Sequence, residues 1–311
     1  MRILVVGGAG EIGRYLVKDL FKRWHEVTVL DRAPHPETTH EDVPYTYIQG
    51  TISDATTTME AVRGKDVVIH LAWSFADDAQ TIFGEDIKGH INLLEAASSS
   101  KVKSFIYTST ATVYGRAAVH PVTESHPCLI NDARKPLYAL GKYTAEELCT
   151  FYYTKHDLPV TIFRFWWAFG DSIAGSHLRD LVRKAINHQA IEMVHGAGGA
   201  FLTMSDLTKA MILAMEQRAA AGQVYNLGSL FLTWEEIGMT IKKLTGSDSP
   251  LKLVPSGEWQ GPAFLNEVWD LDWSKAQREL GYIPGSSVEV MTSQFSQALR
   301  VCVDTVEKER T

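Results

Sequence analysis

Short apolar runs alternate with amphipathic stretches through the first half of the chain. Ile3 to Val6 is unbroken and apolar, and Glu26 to Asp31 reads EVTVLD, an apolar run closing on a carboxylate. Runs of this length without polar alternation predict strands buried on both faces. Further strands are predicted at Tyr45 to Gln49, Asp66 to Leu71, Ser104 to Tyr107 and Leu158 to Phe165. Between them lie helical patterns near Ala55 to Val62, over residues 85 to 100 (Ile87, Ile91, Leu94, Glu95) and around 138 to 156. A polar loop with Pro34, Pro36 and Pro44 separates the second and third strands. Repeated strand–helix units of this kind give a parallel sheet covered by helices on both faces.

Past residue 170 the composition changes. Gly196 to Gly199 reads as a flexible bend, Ser205 to Gln217 as a helix capped by Ser205, and Val224 to Leu227 as a short strand. Thr233 opens another helix, and Pro250 to Pro262 is loop-rich. No linker or repeat is evident. The expected division is therefore residues 1–170, with a strand near 222–228 rejoining them, and a smaller lobe over 171–311.

The segment Gly7-Gly8-Ala9-Gly10-Glu11-Ile12-Gly13 joins the first strand to the first helix. Amide groups at a helix start are unpaired and carry its partial positive charge, so a pyrophosphate can sit there, and glycine lets it approach. The gap between Gly7 and Gly10 is one residue longer than in the GxGxxG dinucleotide fingerprint. Asp31 ends the second strand eighteen positions beyond Gly13. An acid there accepts hydrogen bonds from the adenosine ribose and repels a 2′-phosphate, which favours NAD over NADP. Arg32 is open to two readings: it holds such a phosphate, or it lies in solvent or over the adenine. The strand, glycine turn, helix and acid together predict a Rossmann-type doubly wound α/β fold.

Bulk properties exclude several classes. Over 311 residues, 45% hydrophobic and 22% charged residues are ordinary for a soluble globular protein, which sets disorder aside. A net charge of −7 argues against a nucleic-acid partner, which would call for a basic face. Cys128, Cys149 and Cys302 lack metal-ligand spacing and are too few for a disulfide framework, so no metal is expected and a reducing compartment is. The first strand begins at Arg2, leaving no room for a signal peptide, and no apolar run approaches the roughly 20 residues of a membrane helix. A cytoplasmic protein with no membrane partner is expected.

Tyr138 and Lys142 stand four residues apart in a helical segment, on one face and a turn apart. An ammonium beside a phenol favours the phenolate, lowering its pKa from about 10, so the phenol can exchange a proton with a substrate hydroxyl. Spacing alone fits many surface helices. Here Thr108-Ser109-Thr110 also follows a strand, at the end where parallel sheets bind ligands. A hydroxyl there can donate to a developing oxyanion. His70 reads as core, while His177 and His195 fall in the second lobe, where either could touch substrate.

With these residues in place, the chain resembles the extended short-chain dehydrogenase/reductase family, epimerase/dehydratase branch. The resemblance runs through GGAGEIG, Asp31, GTISD, VVIHLAW, INLLEAA, YTSTATVYG, YALGK, FRFWWAFG, VYNLGS and LGYIPGSSVEV, in order and over nearly the whole chain. It implies a Thr110–Tyr138–Lys142 catalytic set, with Lys142 also holding the nicotinamide ribose. Glu11 and Ile12 would present amides to the pyrophosphate, Thr51 and Ile52 would lie beside adenine, and Leu71, Ala72 and Trp73 would line the cofactor channel. Ser109 would touch the cofactor, and Trp166 falls in the stretch beside the nicotinamide. It further implies a homodimer through the helices at about 80–100 and 138–156.

Several positions depart from the family pattern. Ala111 and Thr112 stand where dehydratases carry an Asp-Glu pair, which argues against 4,6-dehydration. Trp167 replaces an asparagine, and Gly199-Ala200-Phe201 replaces Arg-Asp-Phe, so two contacts to a substrate diphosphate are missing. Thr51 replaces an aspartate, and Asp86 an asparagine. Trp73, Phe75, Trp166 and Trp167 instead suggest an aromatic pocket suited to sugar C–H faces or apolar rings, with Phe75, Thr112, Trp167 and His177 at the substrate. The expected activity is NAD-dependent oxidation of a secondary alcohol on a sugar-like small molecule. The alternatives are a nucleotide-sugar 4-epimerase with tightly held NAD and, more remotely, a non-catalytic NAD-binding regulator.

Overall fold

A computed structural model of the protein describes residues 1–35, 44–173, 175–285 and 287–309; Pro36 of the expected polar loop lies outside them. The first half runs β1 (Arg2–Val6), α1 (Glu11–Lys22), β2 (Glu26–Asp31), β3 (Thr46–Gln49), α2 (Ala55–Val62) and β4 (Val67–His70). A single turn, α3 (Ala79–Thr81), leads through a π-helical stretch at Ile82–Ile87 into α4 (Lys88–Ser99). Then come β5 (Ser104–Thr108), α5 (Pro136–His156) and β6 (Val160–Arg164). Helix α1 buries Gly13, Leu16, Val17 and Leu20, a three-and-four spacing that puts one face on the sheet. Pro136 starts α5, where a missing N–H does no harm, and Asp157 ends it in a left-handed conformation.

The second half contains β7 (Trp167–Phe169), α6 (Ser176–Ile186), β8 (Ile191–Val194), β9 (Gly198–Thr203), α7 (Met204–Glu216) and β10 (Gln223–Asn226). It continues with β11 (Leu230–Thr233), α8 (Trp234–Thr245), β12 (Leu251–Val254), β13 (Val268–Trp269), α9 (Ser274–Leu280) and α10 (Val288–Lys308). A seven-stranded sheet has the order β3-β2-β1-β4-β5-β6-β10, every neighbouring pair parallel. The strand near 222–228, seen as β10, pairs with β6. The chain winds outward from β1 to β3, then returns to lay β4 on the other side of β1. That reversal opens a crevice at the carboxyl ends of β1 and β4, where doubly wound sheets bind ligands.

Around β9 a second sheet forms, antiparallel to β11 and parallel to β7 and β13, beside a two-stranded β8–β12 pair. Its core gathers Phe169, Phe201, Trp234, Phe264 and Phe295.

Four local expectations are corrected. Gly196 takes the turn with φ +73°, but Gly198 and Gly199 belong to β9. The cap of α7 is Thr203, whose Oγ1 accepts from the Asp206 amide at 3.1 Å, and not Ser205 two positions later. The region 250–262 holds β12, an edge strand too short to stand out from its proline-rich surroundings. Residues 82–87 are π-helical, a local widening that places Asp86 inward. Among the described residues no helix is long and apolar enough to cross a membrane.

Candidate active site

The crevice starts where β1 and β4 end side by side. Gly7 adopts φ +81°, and a Cβ there would lie 2.7 Å from the Ala72 nitrogen, so only glycine lets the two strand ends close. No side chain caps α1, leaving the first amides of that helix without a side-chain partner at Gly10 to Gly13. Asp31 braces this turn: its Oδ2 accepts from the Ala9 amide and its Oδ1 from the Ala33 amide, both at 3.0 Å.

A cavity of about 620 Å³ follows the strand order across the sheet. Gly7, Gly10, Glu11, Ile12 and Gly13 line it beside Asp31, Arg32, Thr51 and Ile52. Leu71, Ala72 and Trp73 carry the wall past β4 to Ser109, Thr110, Tyr138 and Lys142 beyond β5. Phe75, Trp166 and Trp167 also line it. The indole N–H of Trp73 is buried without a hydrogen-bond partner, an orphan donor on this wall. Uncapped amides, a glycine cradle and the strand-end carboxylate together suit a dinucleotide.

Helix α5 places Tyr138, Lys142 and Glu146 on one face. Lys142 is buried, and its Nζ donates to the Thr108 carbonyl at 2.9 Å while lying 4.1 Å from the Trp73 ring centre. Burial lowers its pKa to about 7, with Asp86 and Glu146 pulling the other way. The phenol of Tyr138 is pushed well above its ordinary range by the surrounding walls; the Thr110 hydroxyl opposes this and Asp86 adds to it. This reverses the expected direction, for a lysine turned onto a carbonyl, its own proton loosely held, pulls little on the phenol.

Thr112 and His177 are set back from the cavity wall. Thr112 takes up Thr110 instead, accepting from its hydroxyl at 3.0 Å. His177 stacks on Phe264 with ring centres 4.6 Å apart. His70 is fully buried beside His90. His195 also lies off the wall, in the turn after β8. Among the described residues no group of His, Cys, Asp or Glu could hold a metal ion.

The glycine at 199 and the tryptophan pair are packed against one another. A Cβ on Gly199 would sit 2.0 Å from Cζ3 of Trp166, and one on Gly175 would sit 2.8 Å from Cη2 of Trp167. The indole of Trp166 occupies the room vacated at 199 and stacks on Phe264 at 5.6 Å. Arg134, lying 5.0 Å over Phe264, is paired with Glu267 at 3.3 Å. Sequence reading missed Ser74 and Asp86 as wall residues, and Met204, which arrives from the start of α7. The signal for Asp86 was present, an acid within an otherwise apolar helical face; for Met204 there was none.

The family model for NAD-dependent epimerases and dehydratases matches residues 3–228. A UDP-N-acetyl-alpha-D-glucosaminuronate decarboxylase from Bacillus cytotoxicus is 31% identical, covering 82% of this chain and 83% of its own. A UDP-glucose 4-epimerase from Lactobacillus helveticus is 26% identical, covering 91% of this chain and 92% of its own. The crystal structure of DesIV, a dTDP-glucose 4,6-dehydratase from Streptomyces venezuelae with NAD bound, aligns over 97% of both chains with a TM-score of 0.76 and 25% identity. The chain belongs to the NAD-dependent epimerase/dehydratase family of extended short-chain dehydrogenase/reductase enzymes.

Proposed function

We propose that this enzyme oxidises a secondary alcohol on a sugar or sugar-like substrate. The observation that carries the reading is the convergence of Thr110, Tyr138 and Lys142 on the wall of the cavity that also takes in the uncapped start of α1. When bound, NAD supplies the hydride acceptor. Tyr138 takes the hydroxyl proton and Thr110 steadies the oxygen. Lys142 holds the nicotinamide ribose, beside Ser109 and Trp166. The amides of Glu11 and Ile12 hold the pyrophosphate, Asp31 selects the unphosphorylated ribose, Thr51 and Ile52 flank adenine, and Leu71, Ala72 and Trp73 line the channel.

Phe75 and Trp167 offer ring faces to sugar C–H groups. Thr112 and His177, off the wall, receive no role. In this reading residues 1–170 with β10 form the cofactor unit and the remainder forms the substrate lobe. A 4-epimerase is the second reading, favoured by relatives named for that activity.

Purified protein mixed with NAD and a panel of free sugars, aldonates, polyols and UDP- or GDP-sugars decides between them. Multiple-turnover NADH from an unactivated substrate is expected. A changed epimer ratio without NADH would establish the epimerase, and neither change would overturn both readings. We also infer a homodimer through the π-helical stretch with α4 and through α5, where Phe83, Ile91, Leu140 and Phe151 leave apolar surface exposed. Sedimentation should give twice the 34.6 kDa chain mass; the chain mass itself would refute the dimer.

A further inference from the structure

The segment following Trp73 is strapped to the π-helical stretch. Asp86 is buried, and its two carboxylate oxygens take both donors of one residue: the Ser74 amide at 3.0 Å and the Ser74 hydroxyl at 2.6 Å. The same hydroxyl accepts from the Ala76 amide at 3.2 Å. Between these anchors Phe75 is held at φ +57°, a left-handed conformation unusual for a bulky side chain. The residue is 68% exposed, yet its ring lies nearly parallel to Tyr138, centres 5.8 Å apart at 16°. A strained backbone that presents an exposed aromatic ring to the phenol has no packing explanation, because little is buried by it.

We propose that Asp86 is a positioning residue: by gripping Ser74 it fixes Phe75 on the face of Tyr138, making Phe75 the platform onto which a substrate ring slides to reach the phenol. The inference rests on the reading of Tyr138 as the acid–base group. Its specificity follows from shape. A substrate with a flat apolar or C–H face fits between this ring and the Trp166–Trp167 wall, and a linear polyol forfeits the contact. Asp86 has a second consequence through its charge. Lys142 and Tyr138 on α5, Tyr107 on β5 and its neighbour Glu85 all interact with it electrostatically, and Lys142 is the cation among them. The carboxylate therefore opposes ionisation of the phenol while favouring the charged lysine. An asparagine at this place would keep the grip without the charge.

The test uses the full chain with NAD and the variants Asp86→Ala, Asp86→Asn and Ser74→Ala. In crystals of the NAD complex, Asp86→Ala should release Phe75 from the face of Tyr138. Asp86→Asn should keep it there, because the amide accepts from the Ser74 N–H and donates to its hydroxyl. On a ring substrate from the panel, Asp86→Ala should raise KM about tenfold or more with a smaller change in kcat. Asp86→Asn should restore most of that KM and move the phenol-dependent limb of the pH–rate profile to lower pH, since a negative charge facing the phenol is gone. Phe75 still stacked in Asp86→Ala, or an unchanged KM there and in Ser74→Ala, would overturn the proposal. If nothing in the panel turns over, the reading of Tyr138 fails, while the position of Phe75 in the crystals still decides the latch. Should Asp86→Ala not fold, Ser74→Ala removes one of the two bonds and takes its place.

Discussion

Replacing Tyr138 by phenylalanine should lower turnover by about 10²- to 10⁴-fold and leave NADH affinity within about twofold of wild type. The ring that packs under Phe75 is kept and only the hydroxyl is lost, so the cavity retains its shape. What disappears is the group able to take a proton at the strand end where Thr110 stands. Burial holds this phenol well above its ordinary range, and the Thr110 hydroxyl is the contact pulling it back. Proton removal therefore depends on positive charge arriving nearby. Lys142, whose pKa burial lowers to about 7, supplies that charge when a ligand in the cavity gives its ammonium further acceptors. Stopped-flow absorbance for turnover and fluorescence titration with NADH separate the two quantities. A variant keeping more than about a third of wild-type turnover would remove Tyr138 from the chemistry.

Which parts of this site could be read in the chain follows from how local each feature is. The glycine turn, Asp31 and the Thr108-Ser109-Thr110 string lie at strand ends, and strand ends of a parallel sheet converge on one crevice whatever the loops do. The YxxxK pair is fixed by helical pitch. The direction of the Tyr138 shift is not legible in the chain, because spacing places a lysine near a phenol but says nothing of where its ammonium points. It points to the Thr108 carbonyl at 2.9 Å. Similarly, Gly199 reads along the chain as a lost diphosphate contact and Trp166 as a neighbour of the nicotinamide, 33 positions apart. In space the two are joined, since the Trp166 indole fills what a side chain at 199 would occupy. Short edge strands such as β12 escaped for another reason. Four residues of mixed polarity between prolines carry no periodicity, and they become a strand because β8 offers a partner.

Arg164 is the residue whose surroundings the chain concealed most. In the chain it stands within FRFWWAFG, next to the tryptophans, yet its partner is Glu146 on α5. Arg164 Nη2 meets Oε2 at 2.5 Å and Nε meets Oε1 at 3.0 Å, both side chains nearly inaccessible. The Ser109 hydroxyl donates to the same carboxylate, and the guanidinium lies 4.8 Å over the Tyr114 ring. Glu146→Ala should therefore destabilise the fold by about 3–5 kcal/mol, because it strands a buried guanidinium without a counter-charge. The urea midpoint should fall by about 1 M or more for a chain of this size. Replacing both partners with apolar residues, Glu146→Leu with Arg164→Met, should cost less than Glu146→Ala alone, since neither charge is then left unpaired. The pair also reaches the chemistry. Glu146 favours the charged form of Lys142, and through Ser109 it fixes the strand end carrying Thr110. NADH affinity in Glu146→Ala should fall along with stability, and the loss should set in at a lower pH than in wild type, already below about 7, because Lys142 then gives up its proton more readily. A midpoint indistinguishable from wild type would mean that the guanidinium finds water or another acceptor, and the buried pair would then hold nothing in place.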